Sequence, residues 1–190
     1  MKPSILILNA ALNGATGNTA VLLDKAGNTL QRKAVVTRFV WGELSRWDEV
    51  ESLLRKADAL IIGTGTHWDS WSHYLQRFLE LATPSEGTAV WLGKPAGVIV
   101  TMHSVGGKGV VSRLQGVLNT FGCLIPPMSG LVYSLVNEAT IKSGAVGAND
   151  LWCLDDIGVI CQNVLAALKA KPRYKAWPVD RSNSSARWID

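Results

Sequence analysis

Short apolar runs alternate with longer segments of helical periodicity along almost the whole chain, and this alternation limits the possible fold more than any other feature. The first run, residues 4–9 (SILILN), has a continuously apolar centre. Such runs are typical of strands that are covered on both faces. Alternating strands and helices predict an α/β domain, in which right-handed crossovers place helices on both faces of an open parallel sheet.

The same pattern predicts the individual elements. Strands are expected at residues 4–9, 33–40, 57–64 and 95–101, and a fifth, interrupted by prolines and a glycine, at 123–126 and 131–135. Helices are expected at residues 18–30, 47–56, 71–81, 108–122 and 150–170, the last capped by Asn149 or Asp150. Without a repeat or a linker, we expect one domain over residues 1–170 and a loosely structured tail over 171–190.

The composition argues against several other classes of protein. An apolar fraction of 47% and a charged fraction of 18% suit a globular domain, and no apolar run reaches the ~18 residues of a membrane span. The N-terminus enters a strand pattern at once, which leaves no room for a signal peptide and predicts a cytoplasmic protein. Three cysteines without CxxC spacing predict buried, reduced thiols. The net charge of +4 lies partly in the tail, and no nucleic-acid-binding module is recognisable.

Three loops contain candidate ligand-binding residues, and the first of them follows the first strand. Ligands of open α/β sheets bind outside the carboxyl ends of the strands, so loops at those ends matter most. Gly17 allows the backbone to approach a ligand closely, while Thr16, Asn18 and Thr19 offer polar groups beside the free N–H groups of a helix start. This arrangement suits a phosphate, and an ordinary helix cap explains it equally well. Neither GxGxxG nor GxxxxGK[ST] is present.

The second and third loops follow the third and fourth strands. Residues 63–72 (GTGTHWDSWS) include Trp68, which offers a flat apolar face to an aromatic ring system. Residues 101–109 (TMHSVGGKG) combine three glycines with the polar side chains of His103 and Ser104. A hinge or a simple turn also explains the third loop. Together, the three loops could surround one flat, phosphorylated ligand.

Residues 57–82 (ADALIIGTGTHWDSWSHYLQRFLELA) resemble the segment that reads ADaiifgtPtyfgnmsaqlKnFlD, or a close variant, in NADPH-dependent FMN reductases and flavodoxin-like quinone reductases. Residues 17–19 (GNT) are similar to the end of the FMN phosphate loop of flavodoxins, and residues 101–107 resemble the third, glycine-rich flavin loop. The resemblance implies a flavodoxin-like three-layer fold, with a five-stranded parallel sheet of order 2-1-3-4-5 and helices on both faces.

The resemblance also implies which residues bind FMN. The phosphate would lie at residues 16–19, the isoalloxazine ring within residues 65–70, and the other edge of the ring against the third loop. The implied cofactor-binding residues are Asn13, Thr16, Gly17, Asn18, Thr19, Gly65, Thr66, His67, Trp68, Asp69, Ser70, Met102, His103 and Gly106. No catalytic side chain is implied. Residues 9–12 (NAAL) replace the family's Gly-Ser-x-Arg, so its hydroxyl and guanidinium are missing here.

The function implied by the resemblance is an FMN-dependent NAD(P)H oxidoreductase. It would pass electrons from a nicotinamide cofactor through the flavin to a quinone, a free flavin or a similar small acceptor. His67 or His103 could protonate a reduced quinone, although a hydrogen-bonding role is preferred for each. The family also implies a homodimer or homotetramer, in which one subunit covers its neighbour's flavin. Trp41, Trp47 and Trp177 fit such an interface and fit ordinary packing equally well.

Two alternative functions stay open at this point. A flavodoxin-type electron carrier is one, although such proteins are usually acidic and the pI here is about 9.1. A flavodoxin-fold binding or regulatory protein that has lost its cofactor is the other, and the altered first loop favours it. The histidines have no metal-ligand spacing and no GxSxG motif occurs, so neither a metal enzyme nor a serine hydrolase of that type is expected.

Overall fold

A five-stranded parallel sheet with the order β2-β1-β3-β4-β5 organises the chain. The computed structural model describes residues 1–144, 152–170 and 173–178. The strands are β1 (Ser4–Asn9), β2 (Val35–Val40), β3 (Ala59–Gly65), β4 (Ala96–Met102) and β5 (Gly130–Ser134). The helices are α1 (Asn18–Leu30), α2 (Trp47–Lys56), α3 (His73–Ala82), α4 (Gly107–Phe121), α5 (Leu135–Ser143) and α6 (Ile157–Ala170). The predicted fold class and strand order are confirmed.

The sheet separates two hydrophobic layers. Side chains of a strand alternate between its faces, so Leu6 and Leu8 of β1 pack on one side, whereas Ile5 and Ile7 pack on the other. The first layer also contains buried residues of α2, α3 and α4, and the second contains those of α1 and α6. This arrangement explains the continuous apolar runs, because strands covered on both faces need apolar residues at every position.

Aromatic residues fill the larger layer. Trp41 and Trp91 are fully buried, and the ring of Phe78 lies between them, with centroid distances of 5.5 Å and 6.1 Å. The guanidinium carbon of Arg77 lies 5.1 Å from the centroid of the Trp41 ring. Its nitrogens donate to three backbone carbonyls of residues 42–45, which fixes the loop between β2 and α2. Trp41 is therefore a core residue and not an interface residue.

The last part of the sheet differs from the sequence-based prediction. A sixth helix, α5, follows β5 directly, and none of its residues is buried, so it has no apolar stripe to reveal it. Residues 123–126 form no strand; Leu124 makes only an isolated bridge to Pro95. The prolines that follow have no N–H to donate to a strand partner. Helix α6 begins at Ile157, and the proposed caps Asn149 and Asp150 lie outside the described residues.

The cysteines are free, and two of the three are buried. Burial raises the pKa of both Cys123 and Cys161 to about 12, whereas Cys153 is half-buried. The prediction of buried thiols is thus right for two residues and wrong for Cys153. No helix in the described ranges is long and apolar enough to cross a membrane.

A described part of the tail contacts the domain at the end opposite to the strands' carboxyl edge. The indole Nε1 of Trp177 donates to a carboxylate oxygen of Glu86 at 2.9 Å. Tyr174 and Trp177 line a cavity of about 220 Å³ together with residues 122–124. The proposed division into a domain of residues 1–170 and a tail of 171–190 stays a prediction.

Candidate functional site

A cleft opens at the carboxyl ends of β1, β3 and β4, beside the point where the chain switches from one side of the sheet to the other. This is the position at which open α/β sheets bind their ligands. Its cavity volume is about 220 Å³. The lining residues are Ala11, Leu12, Asn13, Gly17, Asn18, Thr19, Gly65, Thr66, His67, Thr101, Met102, His103 and Leu135.

The fold brings together nine of the fourteen residues that the sequence predicted. They are Asn13, Gly17, Asn18, Thr19, Gly65, Thr66, His67, Met102 and His103. The other five, which are Thr16, Trp68, Asp69, Ser70 and Gly106, do not line this cleft. Thr16 turns its hydroxyl back to the carbonyl of Asn13, at 3.1 Å.

The first loop is folded by the buried side chain of Asn9. Its amide nitrogen donates to the carbonyl of Gly14 at 2.8 Å, and its amide oxygen accepts from the N–H of Ala11 at 3.0 Å. These two bonds bend the chain back before α1 begins. A Cβ at Gly17 would lie 2.8 Å from the Cβ of Asn13, so a larger residue would push the loop outward.

Helix α1 begins directly at the cleft with Gly17 as its N-cap residue. Among the described residues, no side chain caps this helix. The first N–H groups of a helix have no acceptor within the helix, and they carry the positive end of its dipole. The start of α1 can therefore bind an anion through backbone donors. No lysine, arginine, aspartate or glutamate lies among the cleft residues named above, so backbone and hydroxyl dipoles dominate its electrostatics.

The second loop forms a tight hairpin at the rim of the cleft. His67 and Ser70 exchange two backbone hydrogen bonds, of 2.7 Å and 2.9 Å. The two residues between them have positive φ, +48° for Trp68 and +58° for Asp69, as a type I′ turn requires. A positive φ is unfavourable for a bulky residue. The indole of Trp68 is fully exposed and projects into solvent.

Asp69 connects this hairpin to the third loop and to α4. Its carbonyl oxygen accepts from the guanidinium of Arg113. Its side chain lies over Gly106, where an added Cβ would overlap Oδ1 of the carboxylate. Gly106 has a φ of +86°, which also favours glycine. The second and third loops are thus held against each other at the rim.

Three threonines form the floor of the cleft. The hydroxyls of Thr19 and Thr101 are 2.7 Å apart, which connects the start of α1 to the end of β4. The N–H of Thr66 donates to the carbonyl of Thr101 at 2.8 Å. The Thr66 hydroxyl is buried and has no hydrogen-bond partner among the described residues. Buried polar groups are nearly always paired, so this hydroxyl is free to bond a ligand group if the side chain turns toward the cleft. The threonines and the α1 N-terminus therefore fit a flat ligand that carries both polar edges and a phosphate.

Sequence reasoning did not single out Ala11, Leu12, Thr101 and Leu135, all of which line the cleft. Thr101 could have been found, because it lies at the carboxyl end of a predicted strand. Leu135 ends the predicted fifth strand and could have been found in the same way, although the structure places it as the first residue of helix α5. Among the described residues, no group of three or more His, Cys, Asp or Glu side chains could hold a metal ion.

The fold and the position of the cleft define a flavodoxin-like α/β protein. Residues 3–135 match the family model for NADPH-dependent FMN reductases. The chain therefore belongs to this family and is an FMN-dependent oxidoreductase by class. A comparison with curated proteins gives no significant match.

Solved structures share the fold at low sequence identity. RosB with bound 8-demethyl-8-formylriboflavin-5′-phosphate is 15% identical with a TM-score of 0.69, and the match covers 88% of this chain and 79% of RosB. A WrbA-like flavodoxin from Agrobacterium tumefaciens is 16% identical with a TM-score of 0.67, covering 90% and 100% of the two chains. The apo form of the NADH:FMN oxidoreductase EMOB is 17% identical with a TM-score of 0.63, covering 89% and 90%.

Proposed function

We propose that this chain binds FMN in the cleft, takes electrons from NAD(P)H and passes them to a small acceptor such as a quinone or a free flavin. The observation that carries the proposal is the buried, unpaired hydroxyl of Thr66 in a cleft lined by donors but by no charged side chain. The polar edge of an isoalloxazine ring offers the partner that this hydroxyl lacks. Rotation about the Cα–Cβ bond of Thr66 moves its hydroxyl between staggered positions, one of which can face a ligand.

The cleft divides into two parts in this proposal. Asn13 and residues 17–19 hold the phosphate at the start of α1, where the helix dipole favours an anion. Residues 65–67 and 102–103 lie along the ring. Trp68 and its neighbours in the hairpin tip lie at the rim, so they contact the ring only from outside the cleft.

The chain's own residues bind and orient, while the flavin, when bound, supplies the hydride chemistry. Thr66, Thr19 and Thr101 orient the ring and the phosphate from the floor of the cleft. His67 and His103 line the cleft, and each imidazole can donate a hydrogen bond to the ring. Leu12 and Leu135 line the cleft and would shield the bound ring from water.

The exposed apolar residues around the cleft support a homodimer or homotetramer. Leu12, Trp68, Val105 and Leu135 belong to four different loops or loop–helix junctions, and each is substantially exposed. A second subunit placed over the cleft would bury them together with the exposed edge of the flavin. The three free cysteines support a reducing compartment, and we propose the cytoplasm.

Visible spectroscopy during FMN titration, followed by anaerobic addition of NADPH or NADH, tests the proposal. Bound flavin that bleaches on addition of either nucleotide supports the reductase. Bound flavin that stays oxidised would instead indicate an electron carrier that another protein reduces. Failure to bind FMN would favour a flavodoxin-fold binding or regulatory protein that has lost its cofactor. The cleft supports this alternative, because no cationic side chain is among its lining residues.

A pair of glycine variants makes the titration specific for the cleft. Gly17→Ala should weaken FMN binding, because its Cβ would push the loop away at Asn13. Gly116→Ala is the matched control, since a Cβ at this position of α4 meets no atom within 4 Å. Equal FMN affinity in both variants would show that the flavin binds elsewhere.

A further inference from the structure

A second cavity lies between the tail and the domain, at the end of the sheet opposite to the cleft. We call it the tail cavity. The domain contributes Leu92, Cys123 and Leu124 to its lining, and the tail contributes Tyr174 and Trp177. Its volume is about 220 Å³. None of its lining residues lines the cleft, so the two cavities are separate.

We propose that the tail cavity is a second ligand-binding site, and that its ligand is a small, neutral aromatic compound with one hydroxyl group, of the phenol type. The proposal does not depend on FMN binding, because the tail cavity and the cleft share no residue. Four properties of the tail cavity support it: its size, its hydrogen-bonding groups, the charges around it and the attachment of the tail.

The size and the apolar part of the lining fit one aromatic ring. A cavity of about 150 Å³ is sufficient for benzene, so the tail cavity has room for a ring with one substituent. Leu92 and Leu124 offer aliphatic contacts, and Tyr174 and Trp177 offer aromatic rings against which another ring can pack. Burial raises the pKa of Cys123 to about 12, so its thiol stays neutral and adds to the apolar surface.

Free hydrogen-bonding groups lie on the α4 side of the tail cavity. The amide nitrogen of Asn119 donates to the carbonyl of Cys123 at 3.3 Å, and its amide oxygen has no partner among the described residues. The hydroxyl of Thr120 likewise has no partner within the described part of the chain. A phenolic hydroxyl both donates and accepts, so it can donate to the amide oxygen of Asn119 and accept from the hydroxyl of Thr120.

The charges around the tail cavity compensate one another, which favours a neutral ligand. Lys175 lines the cavity and carries a positive charge. Helix α4 ends at Phe121, so the negative end of its dipole lies at the same cavity. The carboxylate of Glu86, which accepts from Trp177, adds a second negative group nearby. Neither a carboxylate nor an ammonium group would therefore find an uncompensated charge of opposite sign.

The attachment of the tail allows a ligand to enter. The Nε1 of Trp177 donates to Glu86 at 2.9 Å, whereas no backbone hydrogen bond joins residues 173–178 to the rest of the described chain. A segment that is held by few contacts opens at a low cost in free energy. A ring in the tail cavity would contact the tail and the domain together, and so hold the tail in place.

The test uses 4-fluorophenol, whose binding is followed by fluorine NMR on the full chain, with and without FMN. Fluorobenzene, which lacks the hydroxyl, and 4-fluorobenzoate, which carries a negative charge, are the comparison ligands. Thr120→Trp fills the tail cavity from α4. Ser112→Trp places the same side chain two turns earlier on α4 and is the matched control. Thr120 and Ser112 are both exposed, so neither change removes core packing.

We expect 4-fluorophenol to bind equally well with and without FMN. Thr120→Trp should weaken its binding by about tenfold or more, because an indole occupies the space of the ring, while Ser112→Trp changes it less than about twofold. Fluorobenzene should bind about threefold more weakly or worse, since it makes no hydrogen bond. FMN affinity should be the same in both variants and the wild type.

A second pair of variants tests the tail itself. Trp177→Ala removes one wall of the tail cavity and should weaken the binding of 4-fluorophenol by about fivefold. Arg173→Ala is the control, because Arg173 belongs to the same tail but does not line the cavity.

Absence of 4-fluorophenol binding would overturn the proposal, and so would unchanged affinity in Thr120→Trp or in Trp177→Ala. Tighter binding of 4-fluorobenzoate would refute the neutral class of ligand. Binding of 4-fluorophenol that FMN abolishes would place it in the cleft and also contradict the proposal. Failure of the proposed function is seen separately, as absence of FMN binding or of bleaching by NAD(P)H, and it leaves these results unaffected.

Discussion

Replacing Thr66 by valine exchanges the unpaired hydroxyl on the floor of the cleft for a methyl group of similar size. An unsatisfied buried polar group costs about 1–3 kcal/mol, and the Thr66 hydroxyl has no partner among the described residues. The valine variant should therefore be more stable than the wild type when no flavin is present. We expect the free energy of unfolding to rise by about 1 kcal/mol, at the lower end of that range, because the side chain can turn partly toward the cleft.

The same change should weaken FMN binding. A neutral hydrogen bond contributes about 0.5–1.5 kcal/mol net, so its loss corresponds to a rise in Kd of up to about tenfold. The two effects have opposite signs: the flavin-free protein gains stability and the complex loses affinity. This combination distinguishes a ligand-binding hydroxyl from a structural one, whose removal would lower stability and leave affinity unchanged.

Two measurements check this prediction. Urea unfolding of the flavin-free protein gives the free energy of unfolding, and quenching of FMN fluorescence gives the Kd. Thr37→Val is the matched control, because Thr37 lies on the half-exposed edge strand β2, away from the cleft. The reasoning is refuted if Thr66→Val destabilises the flavin-free protein, or if FMN binds to it as tightly as to the wild type.

Three further predictions concern the rim, the core and the thiols. Gly106→Ala should lower the free energy of unfolding by more than about 1 kcal/mol, because the residue has a φ of +86°. Urea unfolding measures this change, and Gly116→Ala, the control, should not show it. Arg77→Lys should lower the free energy of unfolding by about 1–3 kcal/mol and leave FMN affinity unchanged, because an ammonium cannot replace the guanidinium that donates to three carbonyls. Unchanged stability would contradict this prediction. Burial raises the pKa of Cys123 to about 12, so at pH 8 iodoacetamide should modify Cys153 before Cys123 in the native protein. Peptide mapping measures the rate of modification of each thiol, and equal rates would disprove the prediction.

The bounds of some helices could be predicted from the sequence alone. The predicted bounds of α1 and α2 match those observed. In α2, acidic residues occupy the first turn and basic residues the last, which complements the helix dipole. Strands β1, β3 and β4 were found because a strand buried on both faces must be apolar throughout. Such signals act between neighbours in the chain, so no tertiary information is needed to recognise them.

Helix α5 shows where local signals were too weak. None of its residues is buried, so no apolar periodicity marks it. Its one clear signal is Ser134, whose hydroxyl accepts from the N–H of Asn137 at 2.8 Å and caps the helix. A single serine at the end of a strand is common, and it does not by itself predict a helix.

The sequence determined the strand order by resemblance, and it predicted the candidate site at the ends of β1, β3 and β4. Only the tertiary structure decided which side chains meet there. Parallel pairing places Thr101 of β4 beside Gly65 of β3, and so brings its hydroxyl to Thr19 on α1. The hairpin turn points Trp68 away from the cleft into solvent. Strand register depends on partners distant in sequence, and Trp68-Asp69 is not a residue pair that predicts a type I′ turn. For these reasons residue type alone could not separate the residues that line the cleft from those at its rim.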